Sequence, residues 1–143
     1  MPPSLRSLRI WNCEKLLRNP SLTSFDMISH LSIGDLRDDA IKSFPNKGFA
    51  LLPPSLTSLI LWGMSSLHTL ECTGLLHLTS LQQLELIDCP RLENMEGERL
   101  PASLIKLEIY ECPLLEERCR MKHPQIWPKI SHIKGIQVDD KWI

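Results

Sequence analysis

The C-terminal third carries residue types that could hold a metal or act as nucleophiles. Cys112, Cys119, His123 and His132 offer thiolate and imidazole ligands. Zinc sites of that composition usually draw their ligands from close pairs such as Cys-x2–4-Cys. Here the cysteines stand seven apart and the histidines nine apart, so the spacing fits zinc poorly. Thiol catalysis needs a partly exposed sulfur in an electropositive setting. Among five cysteines, Cys72 and Cys119 are the ones expected to be exposed. Acid–base catalysis needs carboxylates converging in a cleft, and no cleft is expected here. No Gly-x-x-x-x-Gly-Lys-Ser/Thr loop occurs, and the six glycines are isolated, so no phosphate nest can form. The expectation is a chain that is not an enzyme and holds no metal or cofactor of its own.

The elements that position these residues come from a repeat. Leucine supplies 26 of the 143 residues, or 26/143 = 18%, while aromatic residues are 6%. Such a bias calls for a search for internal periodicity. Leu5-x-x-Leu8-x-Ile10-x-x-Cys13-x-x-Leu16 is followed by a degenerate Ile28-x-x-Leu31-x-Ile33-x-x-Leu36. Three further copies are Leu56-x-x-Leu59-x-Leu61-x-x-Met64-x-x-Leu67, Leu81-x-x-Leu84-x-Leu86-x-x-Cys89-x-x-Leu92 and Leu104-x-x-Leu107-x-Ile109-x-x-Cys112-x-x-Leu115. The first positions, 5, 28, 56, 81 and 104, are separated by 23, 28, 25 and 23 residues. This is the pattern of a leucine-rich repeat. The fold class it predicts is an α/β repeat solenoid, a horseshoe arc of about five repeats. Its concave face would be a parallel sheet and its convex side irregular or 3-10, closed by a C-terminal cap.

Positions four and six lie two apart, so they share one side of a strand and face the interior. No copy can bury its leucines alone, and the copies must stack. Prolines bound the strands: Pro2-Pro3, Pro53-Pro54 and Pro101 before them, Pro90 and Pro113 after the ninth position. Proline has no amide proton to give to a ladder. The repeats are assigned to residues 1–115 and the cap to residues 116–143. In the cap, 116–123 reads as helix, Pro124 and Pro128 break it, and 130–138 can form a last strand. The chain enters its first copy at once, which leaves Leu5, Leu8 and Ile10 as an open edge and suggests part of a longer array.

The third, fifth and seventh positions point away from the interior. The seventh column reads Trp11, Gly34, Trp62, Ile87, Tyr110; the fifth reads Arg9, Ser32, Ile60, Glu85, Glu108; the third reads Ser7, His30, Ser58, Gln83, Lys106. Large aromatic side chains on an open face suit a protein-binding hot spot. The same residues stacked sideways would merely stabilise the sheet. Both readings stand at this point. Arg9, Trp11, Ile60, Trp62, Glu85, Ile87, Glu108 and Tyr110 are the candidate binding residues. Glu85 beside Glu108 reads as a solvated acidic patch that a basic partner could also use. Arg118, Arg120, Lys122, Lys129 and Lys134 read as the solvated side of the cap.

The net charge is 16 − 17 = −1, which argues against a dedicated nucleic-acid binder. The apolar runs are a few residues long and no signal-peptide layout opens the chain, so no membrane insertion is expected. An odd number of cysteines without a secretory signal favours reduced thiols and a cytoplasmic setting.

The segment Cys112-Pro113-Leu114-Leu115-Glu116-Glu117-Arg118-Cys119, with Trp127-Pro128-Lys129-Ile130-Ser131-His132-Ile133, resembles the C-terminal end of plant coiled-coil-type nucleotide-binding leucine-rich-repeat disease-resistance proteins. Leu52 to Leu59, His77 to Leu84 and the closing Ile133 to Asp139 are similar to the same family. The resemblance implies the recognition region of an intracellular immune receptor. Its partner would be a protein: a pathogen effector, a host target or the receptor's own switch domain. ATP or ADP would bind a domain this chain lacks. The alternatives are a stand-alone repeat scaffold or substrate receptor, and a non-functional gene fragment.

Overall fold

The computed structural model describes residues 6–11, 28–34, 42–44 and 52–143. Cys13, Leu5, Leu16, Leu36 and the side chain of Trp11 lie outside them, so the expectations for those groups do too.

The described chain is a mostly parallel β fold with few helices. Strands β1 (Ser7–Trp11), β2 (His30–Gly34), β4 (Ser58–Trp62), β6 (Gln83–Ile87) and β8 (Lys106–Tyr110) lie side by side in one sheet. β9 (Gly135–Val138) extends it in parallel and β10 (Lys141–Trp142) closes it antiparallel. A second sheet of three short parallel strands joins β3 (Ser43–Phe44), β5 (Thr69–Glu71) and β7 (Asn94–Glu96). Sequence reading expected only turns and 3-10 pieces in those return segments. The second sheet forms because Phe44, Leu70 and Met95 all bury inward from equivalent places. A 3-10 turn at Cys72–Leu75 follows β5.

Register carries the packing. Leu8 pairs with Leu31, Leu31 with Leu59, Leu59 with Leu84 and Leu84 with Leu107. Ile10, Ile33, Leu61, Leu86 and Ile109 form a second row. From β2 to β8 every member of both rows is at most 2% exposed. Ile10 is buried at 3% and Leu8 packs against the core. Among the described residues β1 is an edge of the sheet, as expected, but Ile10 is buried and Leu8 only partly exposed, so the two are less open than expected. β4, β6 and β8 start with the same bonds, two successive amides donating to one carbonyl just ahead of the neighbouring strand. Thr57 and Ser58 share Ser29 O, Gln82 and Gln83 share Thr57 O, and Ile105 and Lys106 share Gln82 O.

β4, β6, β8 and β9 are each followed by a left-handed residue: Gly63 (φ 63°), Asp88 (φ 52°), Glu111 (φ 53°) and Asp139 (φ 48°). The turned amides stay bonded to the next strand, Gly63 N to Ile87 O and Asp88 N to Tyr110 O at 2.9 Å each. The thiols of Cys89 and Cys112 add a second bond to these same carbonyls: Cys89 Sγ lies 3.4 Å from Ile87 O, and Cys112 Sγ lies 3.3 Å from Tyr110 O.

The C-terminal boundary also shifts. Helix α1 spans Pro113–Arg120, starting before residue 116, because Pro113 suits the first helical turn. Pro128 sits inside helix α2 (Trp127–Ile130), again in its first turn, and breaks nothing there. The last parallel strand is limited to Gly135–Val138.

Leu84 is fully buried in the middle row. Leu84→Ala should cost about 2–5 kcal/mol in a urea titration, while Ile105→Ala, 56% exposed, should stay within roughly 0.5 kcal/mol.

Candidate protein-binding face

The alternation of each strand that hides Leu59 and Leu61 presents Ser58, Ile60 and Trp62 on the opposite side. β6 does the same with Gln83, Glu85 and Ile87, and β8 with Lys106, Glu108 and Tyr110. Parallel register aligns these as rows: Trp62 beside Ile87 beside Tyr110, and Ile60 beside Glu85 beside Glu108. Six of the eight candidates, Ile60, Trp62, Glu85, Ile87, Glu108 and Tyr110, thus form one patch. Arg9 is exposed on β1, two strands away from β4. Trp11 pairs with Gly34 through its backbone.

The aromatic side chains lean rather than project. A Cβ at Gly34 would collide with the Trp62 indole, so the ring lies across β2 and Gly34 is buried beneath it. At the far end the Trp142 ring covers Gly135, where an added Cβ would come within 3.0 Å of it. Each glycine gives a large ring a seat on its neighbour. The outward column contains Gly34 without revealing this; a glycine facing a tryptophan in the next copy was the available signal. Trp62 remains partly exposed, so its stabilising contact leaves ring surface free.

Glu108 corrects the picture of a solvated acidic patch. It is 7% exposed. Lys106 Nζ stands 2.6 Å from its Oε1, and the Tyr110 hydroxyl donates to its Oε2 at 3.1 Å. Gln83 Nε2 donates to Glu85 Oε1 at 2.9 Å and reaches Glu108 Oε1 at 3.5 Å. Burial and the neighbouring Glu108 carboxylate raise the Glu85 pKa above the usual range. Burial and Glu108 push the Tyr110 phenol up to about 12, with Asp140 adding to the effect.

The cysteines also depart from expectation. Cys72 and Cys119 are buried at 0% and 1% because each fills an inward position, on the 3-10 turn and on α1. Burial raises their thiols to about 11 and about 12. Cys112 is driven upward by its hydrogen bond with Cys89 and by burial. Among the described residues no group of three or more His, Cys, Asp and Glu gathers as a metal site would require.

The basic residues of the cap are not simply solvated. Arg118 bonds Asn94 Oδ1 at 2.9 Å and approaches Glu93 at 3.7 Å. Arg120 pairs with Asp139 at 3.6 Å, and Lys122 lies over the Trp127 ring at 5.2 Å. Lys129 donates to Met95 O and to Gln125 O. Four of the five cations thus engage groups of their own chain, and Lys134 is exposed. A cavity of about 790 Å³ opens beside the second sheet, lined by Lys42, Ser66, His68, Thr69, Arg91 and Glu96 among others. His68 there has both ring nitrogens engaged, by Thr69 Oγ1 at 3.0 Å and Glu93 Oε1 at 2.7 Å. Among the described residues no helix is long and apolar enough to cross a membrane.

Two measurements check this geometry. Gly34→Ala should destabilise the chain by about 1–3 kcal/mol, and much of that loss should vanish when Trp62→Ala is already present, a coupling read by a double-mutant cycle. Iodoacetamide followed by peptide mapping should leave Cys72, Cys89, Cys112 and Cys119 unmodified at pH 8 until denaturant is added. No protein-family profile, no curated protein and no solved structure matches this chain.

Proposed function

We propose that this chain is a protein-recognition module, a leucine-rich-repeat arc that binds a protein partner through the face carrying Ile60, Trp62, Glu85, Ile87, Glu108 and Tyr110. One observation carries the reading. The sequence motif and the strand register agree copy for copy, with Leu8, Leu31, Leu59, Leu84 and Leu107 side by side. That agreement turns a linear pattern into a continuous face of partly exposed aromatic and aliphatic side chains, the surface type that provides binding hot spots.

The setting we infer is a plant intracellular immune receptor of the coiled-coil nucleotide-binding class, in the cytoplasm. It rests on the resemblance of Cys112 to Cys119 and Trp127 to Ile133 to that family's closing segment. In such a receptor, contact with an effector, a host target or the receptor's own switch domain would couple recognition to release of the switch. The chain's part is binding, with no catalytic step and no cofactor of its own.

The test is the transcript upstream of Met1. The family reading expects an in-frame extension encoding more repeats and a Gly-x-x-x-x-Gly-Lys-Ser/Thr loop. A message without that loop would overturn the receptor setting and favour a stand-alone repeat scaffold. In the full product, Trp62→Ala should weaken partner binding by more than about 1 kcal/mol while circular dichroism reports a folded chain.

A further inference from the structure

We propose that the β4–β8 part of this face seats a basic segment of a protein partner, with an Arg or Lys head group at Glu85 and Glu108 and apolar side chains over Ile60, Trp62 and Ile87. The proposal rests on reading the face as a protein-binding surface and names the chemistry of what it binds.

The argument is one of charge complementarity on an apolar floor. Glu85 and Glu108 are direct cross-strand partners. Like charges directly opposite each other destabilise a sheet. The chain offsets this only in part. Lys106 is committed to Glu108 at 2.6 Å. Gln83 and Tyr110 donate hydrogen bonds to the two carboxyls but bring no positive charge. Asp140 lies near enough to Tyr110 to raise its phenol further, which adds a third acid at that end. Of the other cations at this end, Arg120 is paired with Asp139 and Lys141 follows Asp140 on β10. The face therefore carries more negative than positive charge around Tyr110.

The donors also hold the carboxyls in place before any partner arrives. Glu108 is anchored from three sides, while Glu85 remains partly exposed. A guanidinium arriving at Glu85 would find an acceptor already oriented, with Ile60 beside it on β4 and Ile87 two residues further along β6. Charge-assisted bonds of this kind are the stronger class. The alternation of one cation with apolar neighbours matches an amphipathic protein segment better than a uniformly charged polymer.

Protonation supplies an independent readout. The groups facing Glu85 are Gln83 on its own strand and Lys106, Glu108 and Tyr110 on β8, with Asp140 beyond Tyr110. In the free chain Glu85 holds its proton to higher pH than an ordinary glutamate. A cationic partner needs the carboxylate. Binding should therefore tighten as the pH rises above the ordinary carboxylate range, and tighten less in Glu85→Gln.

The experiment selects a phage-displayed random dodecapeptide library on the intact chain. Selected peptides are then titrated against wild type, Glu85→Gln and Trp62→Ala, with circular dichroism as the folding control. The expected result is enrichment of peptides with Arg or Lys flanked by apolar residues. Glu85→Gln should weaken them about tenfold, Trp62→Ala should weaken them as well, and added salt should loosen them. Neutral or acidic peptides that need Trp62 but ignore Glu85 would overturn this proposal and leave the face reading intact. Basic peptides indifferent to Glu85→Gln would overturn it too. A selection that yields no peptide dependent on Trp62 or Glu85 would overturn both readings. Concentration-dependent dimerisation abolished by Glu85→Gln would assign the face to a second copy, and would likewise overturn it.

Discussion

The fold depends on leucine rows that a single strand cannot bury. A five-residue strand hides two side chains on one face, far too little apolar area to offset the entropy of ordering it. Leu59 and Leu61 become fully buried only because Leu31 and Ile33 lie on one side and Leu84 and Leu86 on the other. Parallel pairing in unshifted register is what lines them up. A slip by one residue would turn Ile60 and Glu85 inward and expose the leucines. The outer face is therefore set by the inner one: wherever the leucines lock, Trp62, Ile87 and Tyr110 must share a row.

That dependence explains what the amino-acid pattern revealed. The five long strands, their spacing and their inward residues follow directly from Leu-x-x-Leu-x-Leu, because period two and burial leave no other arrangement. The second sheet was hidden, since β3, β5 and β7 are two or three residues long and carry no alternation to read. Its inward members, Phe44, Leu70 and Met95, differ in type, and only stacking makes them equivalent. The early start of α1 was hidden by Pro113, which reads as a breaker until its place in the first turn is known.

The face was half legible. Column membership gave the right neighbours for Ile60, Trp62, Glu85, Ile87 and Tyr110. Burial within a column was not accessible, because it depends on the reach of neighbouring side chains. Glu108 is covered by Lys106 and Tyr110 on its own strand and by Gln83 on β6, side chains whose reach the column does not reveal. Cys72 and Cys119 misled for a related reason. They fall outside the motif, yet the turn and the helix that carry them aim them at the core. Nothing in the local sequence of Arg118 and Arg120 marks their acceptors, Asn94 and Asp139, which lie on other segments.

The strand order itself has a mechanical consequence. Among the described residues, β1 and β10 occupy opposite edges of the large sheet. The hydrogen bonds between strands point across the sheet, along the line that joins those edges. Tension applied between β1 and β10 would load these bonds lengthwise, one rung at a time, instead of shearing a whole ladder at once. Such a chain yields by peeling from an edge at modest force, and each strand released leaves the next leucine row as the new boundary.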